Sequence, residues 1–379
     1  MIGMAVAMGI GRFGYTPILP YMTEALSLTK SDAGLIAAAN YLGYLFGALA
    51  GVIGTLGGNR RSWMLWSLAA TVLFTAAMAV DPSPYAFMAL RFCGGLASAL
   101  FMVFGSALVF ERLAAAGRSD LTHVYFMGVG AGICASALLV AWLGASGIGW
   151  DGQWIASGAL ALAGFVAVFF LIPRATNDSP QPMPAGGSQL DRRIVPMAVA
   201  YGLFGFGYVI TMTFISAIAR QTPAIAAIEP YIWFVVGVAA LPSAAFWLWI
   251  GRRFGNPTSF ALASLIEAMG VAATVLFTDA SLVLVGAVLT GGTVVGILAL
   301  GLSVARDFAQ SSGIDPRRII AIMTCAFGLG QVIGPAFAGY VADITGTFTV
   351  PTLVATATLL LAAALGLVVR KQAPGNLRT

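Results

Sequence analysis

Charge is scarce in this chain. Asp, Glu, Lys and Arg make up 9% of its 379 residues, against about 25% in a soluble domain. Hydrophobic side chains make up 59% and mean hydropathy is +0.93, so the chain reads as an integral membrane protein. Histidine occurs once, as His123, and the three cysteines (Cys93, Cys134 and Cys325) all fall in apolar runs. That excludes a disulfide framework and a zinc site. No Walker-type nucleotide motif is there, which excludes a self-contained ATP-driven pump. Nor is there a Ser/His/Asp set, a pair of acids or a His-rich cluster on neighbouring apolar runs, so intramembrane enzyme chemistry is not expected. No metal and no cofactor is expected either. The net charge of +5 could suggest a nucleic-acid partner, but its distribution points to a bilayer.

What the chain has in abundance is long apolar runs. Stretches long enough to cross a bilayer, about 17–25 residues each, recur twelve times: near 2–22, 33–55, 63–80, 85–110, 122–145, 153–172, 194–218, 230–250, 258–277, 281–305, 319–341 and 349–369. Backbone groups find no partner in lipid, so each run predicts a helix. With the N-terminus inside, fifteen of the nineteen basic residues fall in inner loops, Arg60 and Arg61 among them. Outer loops keep only Lys30 and Arg220, and Arg12 and Arg91 fall within spans. This asymmetry puts both termini in the cytoplasm by the positive-inside rule.

The longest polar segment, 173–193, is rich in Pro, Gly and Ser and reads as a cytoplasmic linker. It separates a six-helix unit, 1–172, from a second, 194–370, with a tail at 371–379. The units are related. MAVAMGIGRFGY (Met4 to Tyr15) and MAVAYGLFGFGY (Met197 to Tyr208) agree at eight of twelve positions at an offset of 193. FMGVGAG (Phe126 to Gly132) and FGLGQVI (Phe327 to Ile333) share their glycine spacing in the fifth and eleventh spans. Six spans per copy give both copies one orientation, related by an axis along the membrane normal. The fold class expected is therefore an all-α integral membrane protein, with 12 transmembrane helices in two pseudo-symmetric six-helix bundles.

Three motifs carry a resemblance. RFCGGLASA (Arg91 to Ala99) is similar to the R-x-x-x-G signature of the major facilitator superfamily. GQVIGPAFAGYVADITGTF (Gly330 to Phe348) is similar to its late G-Q-x-x-G-P segment. GRFGYTPILP with AAANYLGYLFGAL (Ala37 to Leu49) resembles the YbfB/YjiJ-type branch. The resemblance covers nearly the whole chain and implies the major facilitator fold. It also implies a monomeric secondary transporter that moves a small molecule, coupled to protons, by alternating access across the inner (cytoplasmic) membrane. One departure stands out. The signature between spans two and three normally carries an aspartate, but GVIGTLGGNRR (Gly51 to Arg61) has Thr55 there, and GRRFGN (Gly251 to Asn256) also lacks an acid. Arg60 and Arg61 remain available to the cytoplasmic helix ends.

An arginine at the centre of a membrane helix costs about 2.5–3.5 kcal/mol on insertion scales, so Arg12 needs a partner or a use. Its counterpart in the second copy is Gly205, so the helix can be built without the charge. The resemblance places spans one and four against a central cavity, where Arg12 would meet an anionic substrate through a two-pronged hydrogen bond. Alternatively, Arg12 orders the bundle against helix-end carbonyls or tyrosines. For Arg91 the signature implies coupling or gating, with packing as the alternative. Glu267 is the one acid near the centre of a span and could take up a proton, although the ninth span is peripheral in the resembled fold. Tyr15, Asn40, Tyr41, Tyr44, Tyr208 and Gln331 could orient a ligand, with Tyr15 and Tyr208 as a pseudo-symmetric clamp. His123 reads as interfacial. Two rival functions stay open: an exporter of lipophilic or cationic compounds, and a membrane sensor or scaffold that transports nothing.

Overall fold

The structure, a computed structural model, describes residues 1–53, 59–118, 121–172, 192–312, 314 and 316–372. Linker residues 173–191, tail residues 373–379 and position Thr55 lie outside the described residues. The described residues fold into twelve long helices: α1 (Ile2–Leu26), α2 (Lys30–Ile53), α3 (Arg60–Ala77), α4 (Pro84–Ala115), α5 (Thr122–Ala145), α6 (Trp150–Leu171), α7 (Val195–Gln221), α8 (Glu229–Phe254), α9 (Asn256–Leu276), α10 (Ala280–Ser312), α11 (Pro316–Thr345) and α12 (Thr349–Gln372). Eleven are long and apolar enough to cross a membrane. The remaining one, α3, has 18 residues and opens on two arginines, which lowers its average hydropathy. Helices α4 and α10 outrun the expected spans at their C-terminal ends by one to two turns, because polar residues such as Glu111, Arg112 and Asp307 continue them past the apolar run.

The first span is not a continuous α-helix: a π segment (Ala5–Ile10) is followed by a turn at 11–14, and α-helix resumes at Tyr15–Leu26. The cause is local. Gly11 and Phe13 donate five residues back, to Val6 (2.8 Å) and Met8 (3.0 Å). Pro17 has no N–H for the Phe13 carbonyl, which takes the Thr16 N–H instead at 3.3 Å. The ladder slips, and the carbonyls of Gly11 and Arg12 are left to other donors.

Packing repeats between the halves. In α1–α6, α1 packs on α5, α2 on α4, and α3 on α4 and α6; in α7–α12, α7 packs on α11, α8 on α10, and α9 on α10 and α12. Close approaches repeat too. A Cβ at Gly95 would run into the Asn40 carbonyl, and one at Gly291 would run into the Val236 carbonyl. Both pairs are related by an offset of 196. The halves meet where α2 packs on α11, α5 on α8, and α1 on α7. A Cβ on Gly237 would sit 2.8 Å from Cys134 Sγ, so the α5–α8 seam is tight.

Contacts link the halves on the side of the molecule that carries the Leu26–Lys30 turn. Thr16 donates to the Met212 carbonyl at 2.6 Å. Arg220 bridges Glu24 (3.3 Å) and Glu229 (3.1 Å) over the ring of Tyr21. The Asp343 carboxylate accepts the N–H groups of Lys30 (3.0 Å) and Ser31 (2.8 Å), capping α2. Lys30 Nζ reciprocates on the carbonyls of Ala342 (3.3 Å) and Gly346 (2.9 Å) at the end of α11.

Candidate functional site

The break in α1 builds the site. Arg91 reaches from α4 and donates Nη1 to the Gly11 carbonyl at 2.9 Å and Nη2 to the Arg12 carbonyl at 2.7 Å. It thus pairs the two groups that the slipped ladder releases, and its guanidinium lies over the Tyr15 ring at 5.1 Å. Asn40 donates Nδ2 to the Arg91 carbonyl at 2.8 Å. The Tyr15 hydroxyl donates to the Ala33 carbonyl at 3.0 Å. Arg91, Asn40 and Tyr15 therefore hold the broken segment within the first half.

Arg12 is held differently. It is 3% exposed, yet among the described residues it has no carboxylate partner. Its guanidinium lies 3.9 Å from the ring centre of Tyr44, 4.8 Å from that of Tyr41 and 5.5 Å from that of Phe13. Tyr41 and Tyr44 are three residues apart, so one face of α2 presents both rings. Such cation–π contacts are worth about 2 kcal/mol when desolvated, enough to fix the plane. They leave the edge free: Nε and Nη2 are buried without a hydrogen-bond partner. Those two N–H groups are parallel donors along one side of the guanidinium, the arrangement that accepts a carboxylate two-pronged.

The second half supplies the opposite wall. Tyr208 is buried in a ring stack, 4.8 Å from Phe204 and 5.8 Å from Phe327, and Gln331 Nε2 donates to its hydroxyl. One turn from Arg12, Thr16 donates to the Met212 carbonyl one turn from Tyr208, at 2.6 Å, and α2, which carries Tyr41 and Tyr44, packs on α11, so residues of both halves share this seam. Gln331 Oε1 is buried without a partner. Position 205, the counterpart of Arg12, leaves no room for a side chain: a Cβ there would sit 2.5 Å from the Phe327 carbonyl. The duplicated helix thus offers one cation to the interface and no second.

Other candidates lie elsewhere. Glu267 is fully buried on α9 facing Thr293 of α10, with neither carboxylate oxygen in hydrogen-bond geometry. Arg60 pairs with Glu111 at 2.9 Å. Arg61 donates Nε to the Ile172 carbonyl at 3.1 Å and Nη2 to that of Phe169 at 3.4 Å, binding α3 to the end of α6. His123 is half-buried in the first turn of α5. Sequence reasoning missed Phe13 and Trp233, whose rings meet across the halves at 6.4 Å, the buried Trp233 Nε1 having no partner. It also missed the ion pairs of Glu24 and Glu229 with Arg220 and the cap that Asp343 forms on α2. The one available signal was opposite charges at the ends of neighbouring spans.

A family model described as "Uncharacterised MFS-type transporter YbfB" matches residues 4–367. "Inner membrane transport protein YdhP" of Escherichia coli (strain K12) is 23% identical over 225 residues, 58% of this chain and 58% of that one. The chain thus spans little more than half the length of this curated relative. "Probable high-affinity nitrate transporter 2.4" of Oryza sativa subsp. japonica is 41% identical over 91 residues, 24% of this chain and 19% of that protein. Among solved structures, the nucleoside transporter NupG superposes with a TM-score of 0.71 at 16% identity, covering 98% of both chains. A point mutant of NupG gives 0.72 at 14% identity, covering 98% of this chain and 97% of that one. At such identity the likeness is one of fold.

Proposed function

Since the chain belongs to the MFS-type transporter family of YbfB and is a membrane transporter, we propose that it moves a small organic anion across the cytoplasmic membrane by alternating access, coupled to protons. One observation carries the choice of an anion: the free, buried Nε–Nη2 edge of Arg12. A buried guanidinium without a counter-ion is costly, and an entering carboxylate or similar anion supplies both charge and hydrogen bonds. Tyr44 and Tyr41 orient the edge, and Arg91 positions it by holding the backbone of the turn. Tyr208 and Gln331 complete the site from the second half, so a bound anion would contact both bundles. That is what a site at the rocking interface of two repeats requires.

Sidedness follows from the basic loops. With the termini inside, the side that carries the Leu26–Lys30 turn is the periplasmic one, and we read this conformation as closed there and as the one that exchanges substrate with the cytoplasm. Arg60 and Arg61 then steady helix ends at the cytoplasmic gate. With no nucleotide motif in the chain, the energy comes from a coupled ion, which we assign to the proton, with Glu267 as the carboxyl that takes it up.

The test is thermal stabilisation of the purified parent and Arg12→Ala by organic acids, phosphorylated compounds, amines and hydrophobic cations. A ligand of the folded state adds about 2.7 kcal/mol at 100 times its dissociation constant. An acid should raise the melting temperature of the parent and not of the folded variant, and should then be taken up by proteoliposomes. Stabilisation by cations alone, equal in both proteins, would replace this reading with export of cationic or lipophilic compounds.

A further inference from the structure

The second half of the site contains an acceptor that nothing in the protein uses. Gln331 is fully buried, its Nε2 is committed to the Tyr208 hydroxyl, and its Oε1 has no partner. Its orientation is held from behind. The Tyr208 ring is clamped nearly parallel to Phe327, at 5°, and to Phe204, at 18°, so the hydroxyl that anchors Gln331 cannot swing away. The halves approach closely here: Thr16, one turn from Arg12, donates to the Met212 carbonyl, one turn from Tyr208, at 2.6 Å, and Leu45, next to Tyr44, lies against Gly328, one turn from Gln331. A free acceptor on α11 and a free donor edge on α1 therefore lie along one seam between the halves.

A buried carboxamide oxygen left unpaired loses its hydration without return, and here a ligand donor would restore the bond. We infer that the substrate is a hydroxycarboxylate: its carboxylate takes the Nε–Nη2 edge of Arg12, and its hydroxyl donates to Gln331 Oε1. This rests on the anion reading above and adds the second group. The donor is a neutral hydroxyl, since an ammonium at Gln331 would be desolvated beside the Arg12 cation. Gln331 Oε1 offers a single acceptor, which suits one hydroxyl proton and leaves the other protons of an ammonium unpaired. The two contacts come from opposite halves, so the hydroxyl also tells the protein that both halves are engaged.

The experiment is titration calorimetry of the full chain in detergent with matched probes: propionate, lactate and alanine, then butyrate and 3-hydroxybutyrate. In the parent, at least one hydroxy acid should bind about tenfold tighter than its deoxy partner, the worth of one well-made hydrogen bond. Gln331→Leu should erase that preference by weakening the hydroxy acid alone. Tyr208→Phe, which keeps the ring stack and releases Gln331, should reduce it, and this milder change remains informative if Gln331→Leu does not fold. Equal binding of the matched pairs, or a preference that survives in Gln331→Leu, overturns the hydroxyl contact while leaving the anion site intact. Tighter binding of alanine than of lactate overturns the neutral donor. If no carboxylate binds the parent, both this inference and the anion reading fall.

Discussion

Arg12 and Arg91 sit in similar apolar surroundings and are used in opposite ways. Arg91 spends both Nη groups on backbone carbonyls, whereas Arg12 keeps an edge free against a tyrosine face. Removing Arg91 leaves two buried carbonyls unpaired, each costing about 1–3 kcal/mol. Arg91→Leu should therefore lower the melting temperature markedly, and Arg91→Lys should recover part of it. Arg12→Lys is expected to fold, because no other protein group depends on the free edge of Arg12, but to bind the anion at least about tenfold more weakly. It keeps the charge and loses the parallel donors. Titration of the two variants side by side separates the positioning residue from the contact residue. Both arginines were visible in the sequence as charges in apolar runs. Their division of labour was not, because it depends on which carbonyls the slipped ladder releases.

At the scale of the helix, release of the Arg12 carbonyl traces to Pro17, whose missing N–H leaves the Phe13 carbonyl to the Thr16 N–H. In Pro17→Ala the restored N–H would take the Phe13 carbonyl, freeing the Thr16 N–H to compete with Arg91 for the Arg12 carbonyl. The helix should straighten and Arg12 should rotate out of register with Tyr44. The expected result is an unchanged or raised melting temperature with weakened anion binding, a combination that plain destabilisation would not give. Close helix packing makes a second prediction. A side chain at Gly95 would meet the Asn40 carbonyl, so Gly95→Val should push α4 from α2 and lower both thermal stability and binding, because Arg91 and Tyr44 ride on those helices. Twelve apolar runs and their glycines were legible in the sequence, as was the kinship of the two halves. The interrupted first span was not, because the run is apolar throughout while hydrogen-bond register is a property of the folded backbone.

Across the whole molecule, one face is held shut by Thr16, the Glu24–Arg220–Glu229 ion pairs and the Lys30–Asp343 caps. The Arg220–Glu24 pair, exposed on its acid side, is worth little, about 0–1 kcal/mol, as the alternating access proposed above would require of a gate. Arg220→Ala combined with Asp343→Asn should shift the population towards the state open on this face. A cysteine placed at Thr16, with Cys93, Cys134 and Cys325 replaced by serine, reports the shift. Its labelling by a membrane-impermeant thiol reagent on intact cells should accelerate several-fold. Unchanged labelling would mean that the seams of α2 on α11 and α5 on α8 hold the face without the charges.

The sequence by itself determined the solvent, the helix count, the two-fold kinship and the presence of two buried cations, since each follows from composition, run length or identity along the chain. It also carries the motifs that resemble the family, and the family match bears that resemblance out. Only the tertiary structure decided which cation is free, which tyrosines frame it, that Gly205 has no room for a second, and that Tyr208 holds Gln331 opposite. Those facts depend on distances between helices far apart in the chain. A hydropathy pattern specifies that a helix is buried, but the partner of each polar atom on it is settled only when the helices pack.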